Sequence, residues 1–119
     1  MIQTATQYRS SISVDEFIEQ AIKELLEAGL IIPSKSAFAS PVVEARAPGR
    51  APRFCVDYRI LNKTTKGDSY PLPSVESVLR DLAGYNYYYC FDLKSGYWQV
   101  PIRKEDRHKT AFVCKMGLF

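Results

Sequence analysis

Tyr88-Tyr89-Cys90-Phe91-Asp92-Leu93-Lys94-Ser95-Gly96-Tyr97-Trp98 is an aromatic, apolar run broken by one carboxylate and closed by a serine-glycine pair. The aromatic residues predict a buried strand from Tyr85 to Leu93, ended at Ser95-Gly96. A carboxylate near the end of such a strand is costly to bury alone. Asp92 must therefore lie near the surface, be paired, or bind a cation, and hard cations such as magnesium take carboxylate and carbonyl oxygens. The plainer reading is an aspartate that caps the Lys94-Ser95-Gly96 turn. Tyr97 and Trp98, beside a glycine and an acidic residue, could stack on a base or sugar. Large aromatics are more often core, and the pattern alone favours core.

Downstream, Val100 to Ile102 pairs briefly, and Lys109 to Lys115 reads as another strand with Ala111, Val113 and Met116 in approximate alternation. Met116-Gly117 reads as a turn, and Phe119 ends the chain where a hairpin partner should follow. An unpaired strand edge there is expected to make the piece prone to association.

Upstream, Pro71 and Pro73 fix an extended segment. Ser74 caps a helix with Val75, Val78, Leu79 and Leu82 on one face, ended by Gly84. Lys63 to Tyr70 is a polar loop. Two strands, one opening at Pro41-Val42-Val43 and one running from Arg53 to Tyr58, flank the turn signal Ala47-Pro48-Gly49-Arg50-Ala51-Pro52. The resulting hairpin carries Arg46, Arg50 and Arg53, which suit phosphates and equally suit a charged edge that blocks strand pairing. Asp57, Arg59 and Asn62 follow in one polar run. They could bond to a template strand or form a local ion pair worth little. Nearer the start, Ser13-Val14-Asp15-Glu16 reads as a capping box, with Ile18, Ala21, Ile22, Leu25 and Leu26 at helical spacing and Gly29 as the stop. Residues 1–12 read as a polar arm.

Helices and strands without regular alternation indicate an α+β class. The 119 residues suffice for one small domain, and 46% hydrophobic residues argue against disorder throughout. A net charge of +3 is compatible with nucleic acid but does not require it. Cys55, Cys90 and Cys114 are odd in number and widely spaced, so neither a disulfide framework nor a zinc site is suggested, and reduced, buried thiols of an intracellular protein are the default. His108 is the single histidine, which argues against histidine-based metal or triad chemistry. No apolar run approaches membrane-spanning length.

Read together, these stretches resemble the Ty3/gypsy type of retroelement reverse transcriptase. Arg53-Phe54-Cys55-Val56-Asp57-Tyr58-Arg59-Ile60-Leu61-Asn62-Lys63 is similar to that family's RFCVDYRxLNK, Tyr70-Pro71-Leu72-Pro73 to YPLP, Asp92 to Gln99 to DLxSGYxQ, and Lys109-Thr110-Ala111-Phe112 to KTAF. The motifs stand in the family's order. The resemblance implies a truncated right-hand polymerase, with residues 13–119 forming the fingers and the start of the palm after an arm at 1–12. It implies RNA-directed DNA polymerase activity in the complete enzyme, extending a primer 3′-hydroxyl with deoxynucleoside triphosphates, magnesium, and an RNA or DNA template. Asp92 matches the first metal-binding catalytic carboxylate, and Leu93 would offer its backbone carbonyl to the same ion. Arg46 and Arg53 match cations that meet the triphosphate, Gly96 and Tyr97 the positions under the sugar, and Asp57 and Arg59 residues that grip the template.

Several positions depart from the family's pattern. Two lysines and a tryptophan of its fingers hairpin are replaced, and Glu44 stands where an apolar residue is usual. The YxDD turn that supplies the other two carboxylates lies beyond Phe119, so this chain alone is expected to be inactive. The implied location is intracellular, cytoplasmic or nuclear, without membrane attachment. The alternative is a non-catalytic retroelement-derived fragment that binds nucleic acid or a partner chain.

Overall fold

In a computed structural model that describes residues 11–119, the first apolar stripe forms helix α1, Ile12–Glu27. The helix opens two residues earlier than the capping box predicts. The Val14 and Asp15 amides both donate to the Ser11 carbonyl at 3.1 Å, so Ser11 is the N-cap and Ser13 lies inside the first turn. Neither serine side chain caps a backbone amide; their hydroxyls lie 3.1 Å apart. The C-terminus follows expectation. Gly29 takes φ +67°, its amide donates to the Leu26 carbonyl, and the Leu30 amide donates to the Leu25 carbonyl, both at 3.0 Å. This paired closure needs a residue free to adopt the left-handed conformation. Residues 1–10 of the predicted arm lie outside the described residues.

Strands β1 (Ser40–Ala45) and β2 (Arg53–Val56) form the predicted antiparallel hairpin, with Glu44 opposite Phe54 and Ala45 opposite Arg53. Helix α2 (Arg59–Thr64) follows, where the sequence was read only as a polar run. After helix α3 (Val75–Leu82), β3 (Phe112–Cys114) pairs parallel to β1 and β4 (Gly117–Leu118) pairs antiparallel to β3, giving the order β2-β1-β3-β4. The last strand is therefore not left without its partner as predicted. The chain turns at Lys115-Met116, one residue early, and residues 117–118 supply a two-residue return. The α+β class is observed.

The chain divides into two units. The first, comprising described residues 11–65 and 101–119, holds the core: Ile18 and Ile22 of α1 meet Val42, Phe112 and Cys114 of the sheet, with Phe54, Val56 and Phe119 packed around them. Ile22 and its neighbours confirm the 3.6-residue period, while Phe54 and Val56 confirm the alternation in β2. An ion pair between Lys115 and Asp15 links the β3–β4 turn to the first turn of α1.

Tyr58 braces this unit. Its hydroxyl donates to the Thr110 carbonyl at 2.7 Å, joining the end of β2 to the 3-10 turn Arg107–Thr110. Burial pushes the Tyr58 hydroxyl above its usual value of 10.0, with Thr110 pulling the other way by less. A pKa raised in the folded state contributes stability that is complete below the unfolded value and is lost as pH rises through the folded one. The stability of the wild type, measured by chemical denaturation, is therefore expected to fall above about pH 10. Tyr58→Phe should lose about 1 kcal/mol at neutral pH and flatten the alkaline limb; an identical alkaline limb in the variant would contradict this assignment.

The second unit, residues 66–100, is almost free of regular structure besides α3. Ser74 caps that helix as predicted, its hydroxyl accepting from the Ser77 amide at 3.1 Å. Tyr85 to Leu93 is not a buried strand: it forms no ladder, and Phe91 is 89% exposed. The aromatic composition has the propensity for a strand, but a strand needs a neighbour to take its amides, and no described residue pairs with it. Cys90, in this segment, is exposed rather than buried, while Cys114 is buried and Cys55 half-buried; all three thiols are free. Val100 to Ile102 forms no strand.

Candidate nucleotide and template site

Arg46, Arg50, Arg53, Asp57 and Arg59 cluster on the β1–β2 hairpin and its exit. Strand alternation places Glu44 with Val42 and Phe54, and therefore toward the core, where its side chain is only 5% exposed. Its carboxylate accepts from Arg46 Nε at 2.9 Å, and the Arg46 side chain is 67% exposed. Arg53, opposite Ala45, lies on the other face of the pleat and is exposed, as is Arg50 in the turn. The hairpin thus carries three cations near its tip, one of them tied to an internal carboxylate.

Asp57 and Arg59 stand together at the start of α2. Asp57 accepts from Arg59 Nε at 2.9 Å and from Arg59 Nη2 at 2.7 Å. The same carboxylate accepts from the Arg59 backbone amide at 3.1 Å, occupying an otherwise orphaned donor at the helix start. With Asp57 11% exposed and Arg59 79% exposed, the aspartate holds the guanidinium and the guanidinium faces solvent. Sequence reading named both residues but missed the helix they initiate; the aspartate two residues before Arg59 was the available signal.

The remaining sequence-predicted residues lie in the other unit. Asp92 and Leu93 are exposed, at the end of the extended aromatic segment. Ser95 adopts φ +52°, uncommon for a residue with a side chain, and turns the chain into the 3-10 helix Gly96–Gln99. The Gln99 side-chain amide donates to the Lys94 carbonyl at 2.7 Å and braces the turn. Tyr97 is 99% exposed and Trp98 is exposed too, so neither is core within this chain, contrary to the pattern-based expectation. They extend from a tight turn in a unit that has no strand of its own among the described residues, and periodicity carries no information about that. A Cβ at Gly96 would meet only the Leu93 Cβ, at an ordinary 3.5 Å. Among the described residues no three of His, Cys, Asp and Glu gather in a way that would hold a metal ion. No helix among them is long and apolar enough to cross a membrane.

The family model for reverse transcriptase (RNA-dependent DNA polymerase) matches residues 46–118. The chain belongs to that family. Its relatives include the enzymatic polyprotein of Figwort mosaic virus (strain DxS), 44% identical over 108 residues, which cover 87% of this chain and 16% of the relative. The retrovirus-related Pol polyprotein from transposon gypsy of Drosophila melanogaster is 35% identical over 120 residues, covering 94% of this chain and 11% of that polyprotein. Among solved structures, the foamy viral protease-reverse transcriptase in complex with dsDNA superposes with a TM-score of 0.79 at 29% identity, covering 96% of this chain and 24% of that one. The chain thus spans about one sixth or less of the length of these curated relatives.

Proposed function

We propose that this chain forms the fingers and first part of the palm of an RNA-directed DNA polymerase. The complete enzyme adds deoxynucleoside triphosphates to a primer 3′-hydroxyl on an RNA or DNA template inside the cell. The observation that carries the reading is the family match over residues 46–118, because it spans both the arginine hairpin and Asp92. The gypsy relative supports a Ty3/gypsy-like element, and the 44% identity to a viral enzymatic polyprotein supports a kinship wider than that type. The foamy viral relative in complex with dsDNA supports a nucleic-acid partner.

Each residue takes a role its chemistry fits. Arg46 and Arg53 offer guanidinium forks to the triphosphate, and charge-assisted bonds of this kind are the strong ones. Arg59, steadied by Asp57, meets the template backbone, which fixes register without reading sequence. Gly96 and Tyr97 lie under the nucleotide sugar.

Asp92 would offer a carboxylate and Leu93 a carbonyl to magnesium, which would supply polarisation of the phosphoryl oxygens and the primer hydroxyl when bound. These two oxygens do not make a magnesium site by themselves, since no trio of ligating side chains gathers among the described residues. In this reading the other ligands come from the rest of the complete enzyme, and this chain alone is expected not to extend a primer. The exposed aromatic side chains around Phe91 support this reading, because large apolar groups left in solvent suit an interface with further protein.

Binding of this chain to a primed template tests the electrostatic part of the reading. It is expected to be weak and to fall steeply with salt, and the triple variant Arg46→Ala, Arg50→Ala, Arg53→Ala should lower the slope of log K against log salt by up to about 2–3 units. Binding that is indifferent to salt, or unchanged in the triple variant, would contradict it.

A further inference from the structure

We propose that Glu44 is a positioning residue for the incoming triphosphate, acting through Arg46. The proposal deepens the reading above and rests on its assignment of Arg46 to phosphate. A carboxylate on the inward face of a strand is costly unless a cation and hydrogen bonds compensate it. The Glu44 side chain is 5% exposed, and its carboxylate accepts from Arg46 Nε at 2.9 Å. A guanidinium has two usable edges, and engaging Nε leaves terminal N–H groups for a second acceptor. Arg46 retains 67% exposure, so those groups stay in solvent beyond the strand end.

The geometry describes a cation clamped at its base and free at its tip. A long exposed side chain ordinarily loses rotamer freedom when it binds. Glu44 restricts that freedom beforehand, which aids phosphate binding despite the opposing charge. Asp57 holds Arg59 by the same device at the exit of the hairpin, with a half-hidden carboxylate beneath an exposed guanidinium. A lysine in place of Arg46 could not serve both acceptors in this way, because its ammonium is a single point charge.

The test is equilibrium binding of inorganic tripolyphosphate to the 119-residue chain at low salt. Wild type is compared with Glu44→Gln, Arg46→Ala and the double variant, and thermal unfolding is recorded for each. Glu44→Gln preserves size and hydrogen-bonding capacity while removing the charge. It is expected to weaken binding by about fivefold in the wild-type background and to have no effect once Arg46 is alanine, the signature of coupled residues. An equal loss in both backgrounds would show a merely structural role and overturn the proposal. Tighter binding in Glu44→Gln would also overturn it, by showing that the carboxylate competes with phosphate. Tripolyphosphate binding that Arg46→Ala leaves unchanged would overturn the assignment of Arg46 to phosphate, and the role of Glu44 with it. Arg46→Lys separates the parts: it should retain some binding yet lose most of its sensitivity to Glu44→Gln.

Discussion

Asp92→Asn, introduced into a complete polymerase carrying this segment, is expected to reduce primer extension by about a thousandfold or more. The estimate comes from chemistry in which a single preorganised charge-stabilising group is worth about 10²–10³ in rate, and a metal ligand serves both substrate and nucleophile. At about 1.4 kcal/mol per tenfold, this amounts to roughly 4 kcal/mol of transition-state stabilisation. The substitution keeps the size of the side chain and removes its charge. Asp92 is exposed within this chain, so no core inside the chain depends on it. The plainer reading, an aspartate that only caps the Lys94-Ser95-Gly96 turn, predicts a different outcome: asparagine caps turns about as well, and activity would fall slightly. Steady-state extension at saturating nucleotide decides between them. Retention of more than about a tenth of the wild-type rate would leave Asp92 as a turn residue.

Tyr97→Ala is expected to erode discrimination against ribonucleotides by about 5- to 150-fold. In the proposed reading Gly96 would let the backbone approach a sugar, and the following ring would then wall off the 2′ position. Forcing an extra group into a tight site costs roughly 1–3 kcal/mol, which converts to that range at about 1.4 kcal/mol per tenfold. The 99% exposure of Tyr97 means its ring packs on almost nothing within this chain and is available to a ligand. Were Tyr97 instead a packing residue of the assembled palm, alanine would open a cavity and lower activity on both sugars alike. The ratio of kcat/KM for matched deoxy- and ribonucleoside triphosphates separates the two, and an unchanged ratio would reject the gate.

The parts of the fold that were legible in the sequence are those whose stabilising contacts are internal to it. The stripe containing Ile18 and Ile22, the hairpin with its Pro48-Gly49 turn, and the Ser74 cap all depend on neighbours that this chain supplies. Tyr85 to Leu93 was misread for the opposite reason. Its residues favour a strand, but strand formation is settled by a partner's backbone, and no described residue provides one. The start of α1 was misplaced because Ser11 and Ser13 are both competent N-caps, and the carbonyl that closes the first turn is that of Ser11. The family motifs gave Asp92 and Tyr97 as candidates that spacing alone left ambiguous. They gave no sign of the clamp under Arg46, while the ion pair of Asp57 with Arg59 was one of the two readings of that polar run. Both depend on side chains two residues apart converging in space, at a strand end in one case and a helix start in the other.

The most direct test of the central claim is magnesium-dependent primer extension by the 119-residue chain, beside a complete polymerase that contains it. The claim is that these residues are one part of a polymerase site whose remaining ligands lie elsewhere in the enzyme. The complete polymerase is predicted to extend a primed template, and the chain alone to give no product above a no-enzyme control. DNA synthesis by the chain alone that disappears in Asp92→Asn would contradict the account.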